Sequence, residues 1–173
     1  MQLIPTVHWT TTSWGCGVTT VIDTSLTDRC ERYRRIFHLP ATVDDAARHI
    51  VLEVGQQFGA VTMPADLGER VLRQLTQSGL VTPVVHHPRA RRWTFITGPS
   101  CSAGVSTSVA AELFRLYTTV ACTGSHVVLP SAEDERTGYR IWVQTPDHLD
   151  AVVPMAAVVE AARLSAVPPA PSR

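Results

Sequence analysis

The chain has 173 residues, of which 45% are hydrophobic and 17% charged, with 15 basic residues balancing 15 acidic ones. A chain of this size buries roughly 70% of its unfolded surface and needs neither disulfides nor a metal to hold a core. Neutral net charge excludes the broad positive field of a non-specific nucleic-acid binder, and no apolar run approaches the ~18 residues of a membrane span.

The start, MQLIPTVHW, lacks the basic and apolar stretches of a signal peptide, so a cytoplasmic location and no membrane contact are expected. Residues 1 to 22 lack helical periodicity, and TVHW and GVTTVI each suit a short strand. From Thr24 to Phe37, capping residues precede Leu26, Cys30, Tyr33 and Phe37 at helical spacing, which predicts an amphipathic helix with its arginines mostly on the solvated side. Thr42 to Ala47 is read as one more helical turn. HIVLEV and GAVTMP flank a short GQQF connection and predict a hairpin.

A helix over Asp66–Gln77 follows, with Leu67, Val71, Leu72 and Leu75 inward and Gly79 at its end. TPVVHH and RRWTFIT predict a second hairpin turning at Pro88, Arg89 and Ala90. A Gly/Ser-rich loop leads into a helix over Ser108–Tyr117, with Val109, Leu113, Leu116 and Tyr117 inward. TTVACT, HVVLP and YRIWVQ read as strands, and the acidic triplet Glu133, Asp134, Glu135 as a mobile exposed loop. The last helix is expected over Asp147–Leu164, before a Pro-rich disordered tail. This order places the chain in the α+β class, as an RRM-like or ferredoxin-like mixed sheet with helices mainly on one face.

All 15 basic residues are Arg, as in the coding of a GC-rich bacterium. The absence of Lys excludes Schiff-base, PLP-dependent and Walker-type ATPase chemistry. Cys16, Cys30, Cys101 and Cys122 form no C-x-x-C pair and read as reduced, mostly buried thiols.

HHPRARRW is the densest positive charge in the chain. At a hairpin tip, Arg89, Arg91 and Arg92 suit phosphates and Trp93 a stacking surface; the alternative is a solvated turn with Trp93 inward. The loop carrying Ser100, Ser102, Gly104, Ser106 and Thr107 precedes a helix and suits an anion on its free N–H groups, or supplies a plain N-cap. His86 and His87 alternate in direction on a strand, and no third metal ligand stands at suitable spacing. No strand carries the paired acids that magnesium-dependent nucleotidyl transfer requires. Neither a catalytic residue, a metal nor a cofactor is expected.

In GSHVVLPSAEDERTGYRIWV, residues Gly124, Val127, Val128, Pro130, Ser131, Gly138, Tyr139 and Trp142 resemble the C-terminal part of the primase-polymerase (prim-pol) domain of bacterial replication proteins. Weaker similarity extends over about residues 48 to 145. The resemblance implies an RRM-like sheet and a prim-pol-like domain at 48–164, between an N-terminal extension at 1–47 and a tail at 165–173. Where that family carries its metal-binding acids, this chain has AVTMP and TTVA; where it carries Ser-x-His, this chain has Arg91, Arg92 and Trp93. The resemblance therefore implies a degenerate, non-catalytic branch that binds nucleic acid or a nucleotide, accessory to replication or its regulation. The alternatives are an assembly adaptor meeting protein partners through Trp9 and Trp14, and an active nucleotidyltransferase.

Overall fold

The computed structural model describes residues 25–99, 105–146 and 152–166. They form an α+β fold in which helices pack around two antiparallel sheets. The larger sheet follows from a β-α-β-β-α-β run: β3 (Gly59–Pro64), α2 (Ala65–Gln77), β4 (Val84–His87), β5 (Arg92–Thr97), α3 (Thr107–Arg115) and β6 (Thr119–Val120). With β8 (Ile141–Gln144) added at one edge, the spatial order is β6-β3-β5-β4-β8. The split arrangement, in which β5 lies between β3 and β4, is that of the ferredoxin-like motif. Every strand pair is antiparallel, so the sheet is not mixed.

Alternation along the strands sorts side chains between the two faces. Val61 and Met63 of β3, Val84 of β4 and Phe95 of β5 point to α2 and to α5 (Met155–Ser165), where they meet Leu67, Val71, Leu75, Val158 and Ala162. Burying Phe95 alone contributes about 2–3 kcal/mol. Gly68 of α2 lies so close to Trp93 that an added Cβ would stand 2.9 Å from the indole. Gly79, at φ +72°, closes α2 in the left-handed conformation expected of it.

The described residues cover the opposite face only in part. Ala60 and Ile96 pack against a second core formed by α1 (Leu26–Arg35) and a sheet of β1 (Ala41–Asp44), β2 (His49–Glu53) and β7 (His126–Leu129). Ser25 caps α1 by accepting from the Asp28 amide at 2.9 Å, and Cys30, Tyr33 and Phe37 are buried, as the helical stripe predicts. Residue 47 lies in the connection between β1 and β2, so α1 and β1 share one core with residues beyond it. Cys122, unlike Cys30, is exposed.

Five local expectations are corrected. Thr42–Ala47 is not a helical turn: β1 runs into a hairpin turn in which the Asp44 carboxylate accepts from the Ala47 amide at 3.0 Å. The Asp44 side chain thus closes a turn between strands. His49–Val54 and Gly59–Pro64 are no hairpin, because β2 pairs with β1 and β7 while β3 pairs with β5 and β6. The acidic triplet lies in a helix, α4 (Ala132–Thr137), fixed by a capping box between Ser131 and Asp134. Tyr117 points outward and is 75% exposed, because α3 ends at Arg115 and Tyr117 takes φ +51°. The last helix starts later than expected: residues 152–154 are not helical and α5 begins at Met155, behind Pro154. The strands expected in residues 1–22, residues 147–151, and residues 167–173 lie outside the described residues. No helix among the described residues is long and apolar enough to cross a membrane.

Candidate anion-binding groove

The uncovered end of the larger sheet begins where its second face changes character. Two residues along from Ala60 and Ile96, the same face carries Thr62 and Thr94, whose hydroxyls are 2.9 Å apart. His87 of β4 continues the row, with Nε2 3.0 Å from Thr94 Oγ1. A hydrogen-bonded Thr62–Thr94–His87 line thus crosses three strands, and its two ends, Thr62 and His87, line a groove of about 370 Å³ while Thr94 is buried between them.

Arginines wall this floor. The β4–β5 turn is a single 3-10 turn over Pro88–Ala90, followed by Arg91 in the left-handed conformation at φ 52°, and it carries Arg89 to the rim. Arg92 pairs across from His87 and donates to the carbonyls of Thr62 (3.2 Å) and Tyr117 (2.7 Å). Arg140, just before β8, is held 3.0 Å from Asp134 in an ion pair whose side chains are 10% and 13% exposed. The Tyr139 ring has the Arg89 guanidinium 4.8 Å from its centroid and that of Arg140 4.6 Å from it. Among the described residues, Arg89 and Arg92 have no carboxylate partner, so Asp134 alone opposes three guanidinium groups.

The floor answers to that field. Burial pushes the His87 imidazole down to about 4, and the charges of Arg140, His86 and Arg92 push the same way against the weaker pull of Asp134. His87 is therefore neutral near pH 7 and offers a ring nitrogen to the Thr94 hydroxyl. A site of three cations over neutral hydroxyls and imidazole can take a phosphate or carboxylate oxygen by charge-assisted hydrogen bonds.

The expected residues do not all meet here. Arg89 and Arg92 line the groove. Arg91 is exposed, and its carbonyl accepts from the Ala65 amide at 2.9 Å. Trp93 lies on the opposite face, half-buried against Gly68, with its Nε1 buried and unpartnered. Ser106 caps α3 by accepting from the Val109 amide at 3.4 Å, and Thr107 begins that helix; neither lines the groove. Ser100, Ser102, Gly104, Trp9 and Trp14 lie outside the described residues.

Thr62, His87, Tyr139 and Arg140 are the groove residues that sequence reasoning missed. The hairpin register gave a usable signal for His87, since it faces Arg92 across the turn; nothing local points to Arg140. Among the described residues, no three His, Cys, Asp or Glu side chains gather where they could hold a metal. No protein-family model, no curated protein and no solved structure matches the chain.

Proposed function

We propose that this chain is a non-catalytic, prim-pol-like cytoplasmic domain that binds nucleic acid or a nucleotide through its phosphates. The observation that carries this reading is the convergence of Arg89, Arg92 and Arg140 beside Thr62 and His87 with, among the described residues, only one opposing carboxylate. Phosphate oxygens would bind the guanidinium groups, two of which the Tyr139 ring holds in place by cation–π contact. The same sheet face supplies hydroxyls where the resembled family has acids, which supports binding without primer synthesis.

Fluorescence anisotropy with labelled oligo(dT), repeated against ATP as competitor, tests the reading. Binding should weaken with salt at a slope of about 0.7 per phosphate contact. Arg89→Ala combined with Arg91→Ala and Arg92→Ala should reduce affinity by about a hundredfold. Unchanged affinity in that variant, or no salt dependence, rules the groove out. Magnesium-dependent dinucleotide synthesis by the purified chain would contradict the non-catalytic part.

A further inference from the structure

On the other side of Arg92 from the groove, the sheet ends in an edge that nothing among the described residues pairs with. Its last strand, β6, matches Thr119 to Thr62 and Val120 to Val61, and the next residue, Ala121, donates its amide to Ala60 at 2.9 Å. Position 60/121 is thus a hydrogen-bonded pair, and Val120 falls at the alternate, non-bonded position. Its N–H and C=O turn away from β3, out of the edge, as a template for another strand.

Beside this edge α3 holds its apolar side chains in the open. Phe114 is 82% exposed and Tyr117 75%. A ring left in water, as Phe114 is, would gain from being covered by a partner's apolar side chain. A hollow of about 260 Å³ runs between helix and edge, lined by Val105, Ala110, Leu113, Phe114 and Val120. A second, of about 380 Å³, lies on the other side of Phe114 and is lined by Arg92, Tyr117 and Thr119. The two hollows differ in charge. Arg92, which lines the second hollow, has no carboxylate partner among the described residues, whereas Glu112 on α3 is engaged by Arg163 at 2.5 Å and also by the charge of Arg115.

We infer that the α3–β6 edge docks an extended segment of a partner protein in which apolar and acidic residues alternate. The segment pairs its backbone with Val120. Side chains of an added strand point alternately to the two faces. One set enters the hollow beside Leu113 and Phe114, because Val120 shares the face of Val61 that packs on the helices. The other set emerges on the face of Thr119 and Arg92, where a carboxylate meets the Arg92 guanidinium. Backbone bonds supply affinity here, and the alternation supplies specificity. The site is separate from the phosphate groove and shares only Arg92 with it.

Anisotropy of a fluorescein-labelled peptide of alternating Leu and Asp, with a Leu/Lys peptide as control, tests the inference on the full chain. The acidic peptide should bind at least about tenfold tighter than the control, and Phe114→Ala and Ala110→Glu should each weaken it about tenfold. Both positions are exposed on α3, so neither change disturbs the core. Arg89→Ala, which weakens the phosphate groove, should leave peptide binding unchanged. The Val120 amide should become protected from hydrogen exchange when peptide is added. Equal binding of the two peptides, indifference to both α3 variants, or an unprotected Val120 amide overturns the inference. So does loss of oligo(dT) binding in Phe114→Ala without acidic-peptide binding, which would assign the aromatic shelf to nucleic acid.

Discussion

The Tyr33 hydroxyl accepts from Trp142 Nε1 at 2.9 Å while donating to the Pro130 carbonyl at 2.6 Å, so one oxygen joins α1 to both sheets. Tyr33→Phe leaves the indole N–H and the carbonyl without this partner and should lower unfolding free energy by about 1–3 kcal/mol, read from the urea midpoint at unchanged slope. Burial, partly offset by the Trp142 hydrogen bond, pushes the Tyr33 phenol up to about 12 from 10. A raised folded value means the unfolded chain loses this proton first. Stability present below pH 10 is then lost as pH rises toward 12, by about 2–3 kcal/mol. Tyr33→Phe should flatten that alkaline limb.

Asp134 closes the α4 capping box and holds Arg140 at the groove wall. Asp134→Ala leaves a nearly buried guanidinium unpaired and should cost about 3–5 kcal/mol. Replacing both partners, as Asp134→Leu with Arg140→Met, should recover most of that loss in thermal melts while weakening oligo(dT) binding. If the double variant binds oligo(dT) as tightly as the parent, Arg140 is not part of the phosphate site.

His87 sets an acid limit. Its folded value, about 4, lies below the ordinary 6.5, so between those values the unfolded chain binds the extra proton. Stability therefore falls as pH drops from 6.5 to 4, by about 1–2 kcal/mol once water reaching the ring is allowed for. His87→Gln should remove this slope from the pH dependence of the urea midpoint. A phosphate held by the arginines would relieve their push on the imidazole, so ligand binding near pH 5 should be accompanied by proton uptake, measurable by calorimetry in buffers of different ionisation enthalpy.

Gly68→Ala would be stabilising by about 1 kcal/mol in an unobstructed helix. Here the added methyl meets Trp93 at 2.9–3.1 Å, and the indole is packed between α2 and the sheet. The substitution should instead destabilise by about 1–3 kcal/mol. Near-ultraviolet circular dichroism should report the displaced indole.

Much of the fold was legible locally. The stripe of Cys30 and Tyr33, the run from Leu67 to Leu75 and the Pro88 turn each lie within a dozen residues, where periodicity and turn chemistry act directly. The Ser131–Asp134 capping box is equally local, but three adjacent acids also suit a solvated loop, and only the reciprocal bonds between Ser131 and Asp134 turn them into a helix start. The false hairpin of β2 and β3 had another cause. Both strands are rich in apolar residues, and their hydrogen-bonding partners come from distant positions such as Val128 and Phe95.

The sequence by itself determined that this is an α+β domain whose cations are all Arg and whose densest positive charge sits at one tight turn. Only the tertiary structure decided that Arg89 and Arg92 join Arg140 over His87, that Trp93 turns to the other face, and that Val120 ends at an open edge. Helical stripes and turns are set by neighbours along the chain, whereas a groove or an edge is set by which strands pair. That pairing depends on the summed burial of two cores and is written at no single position.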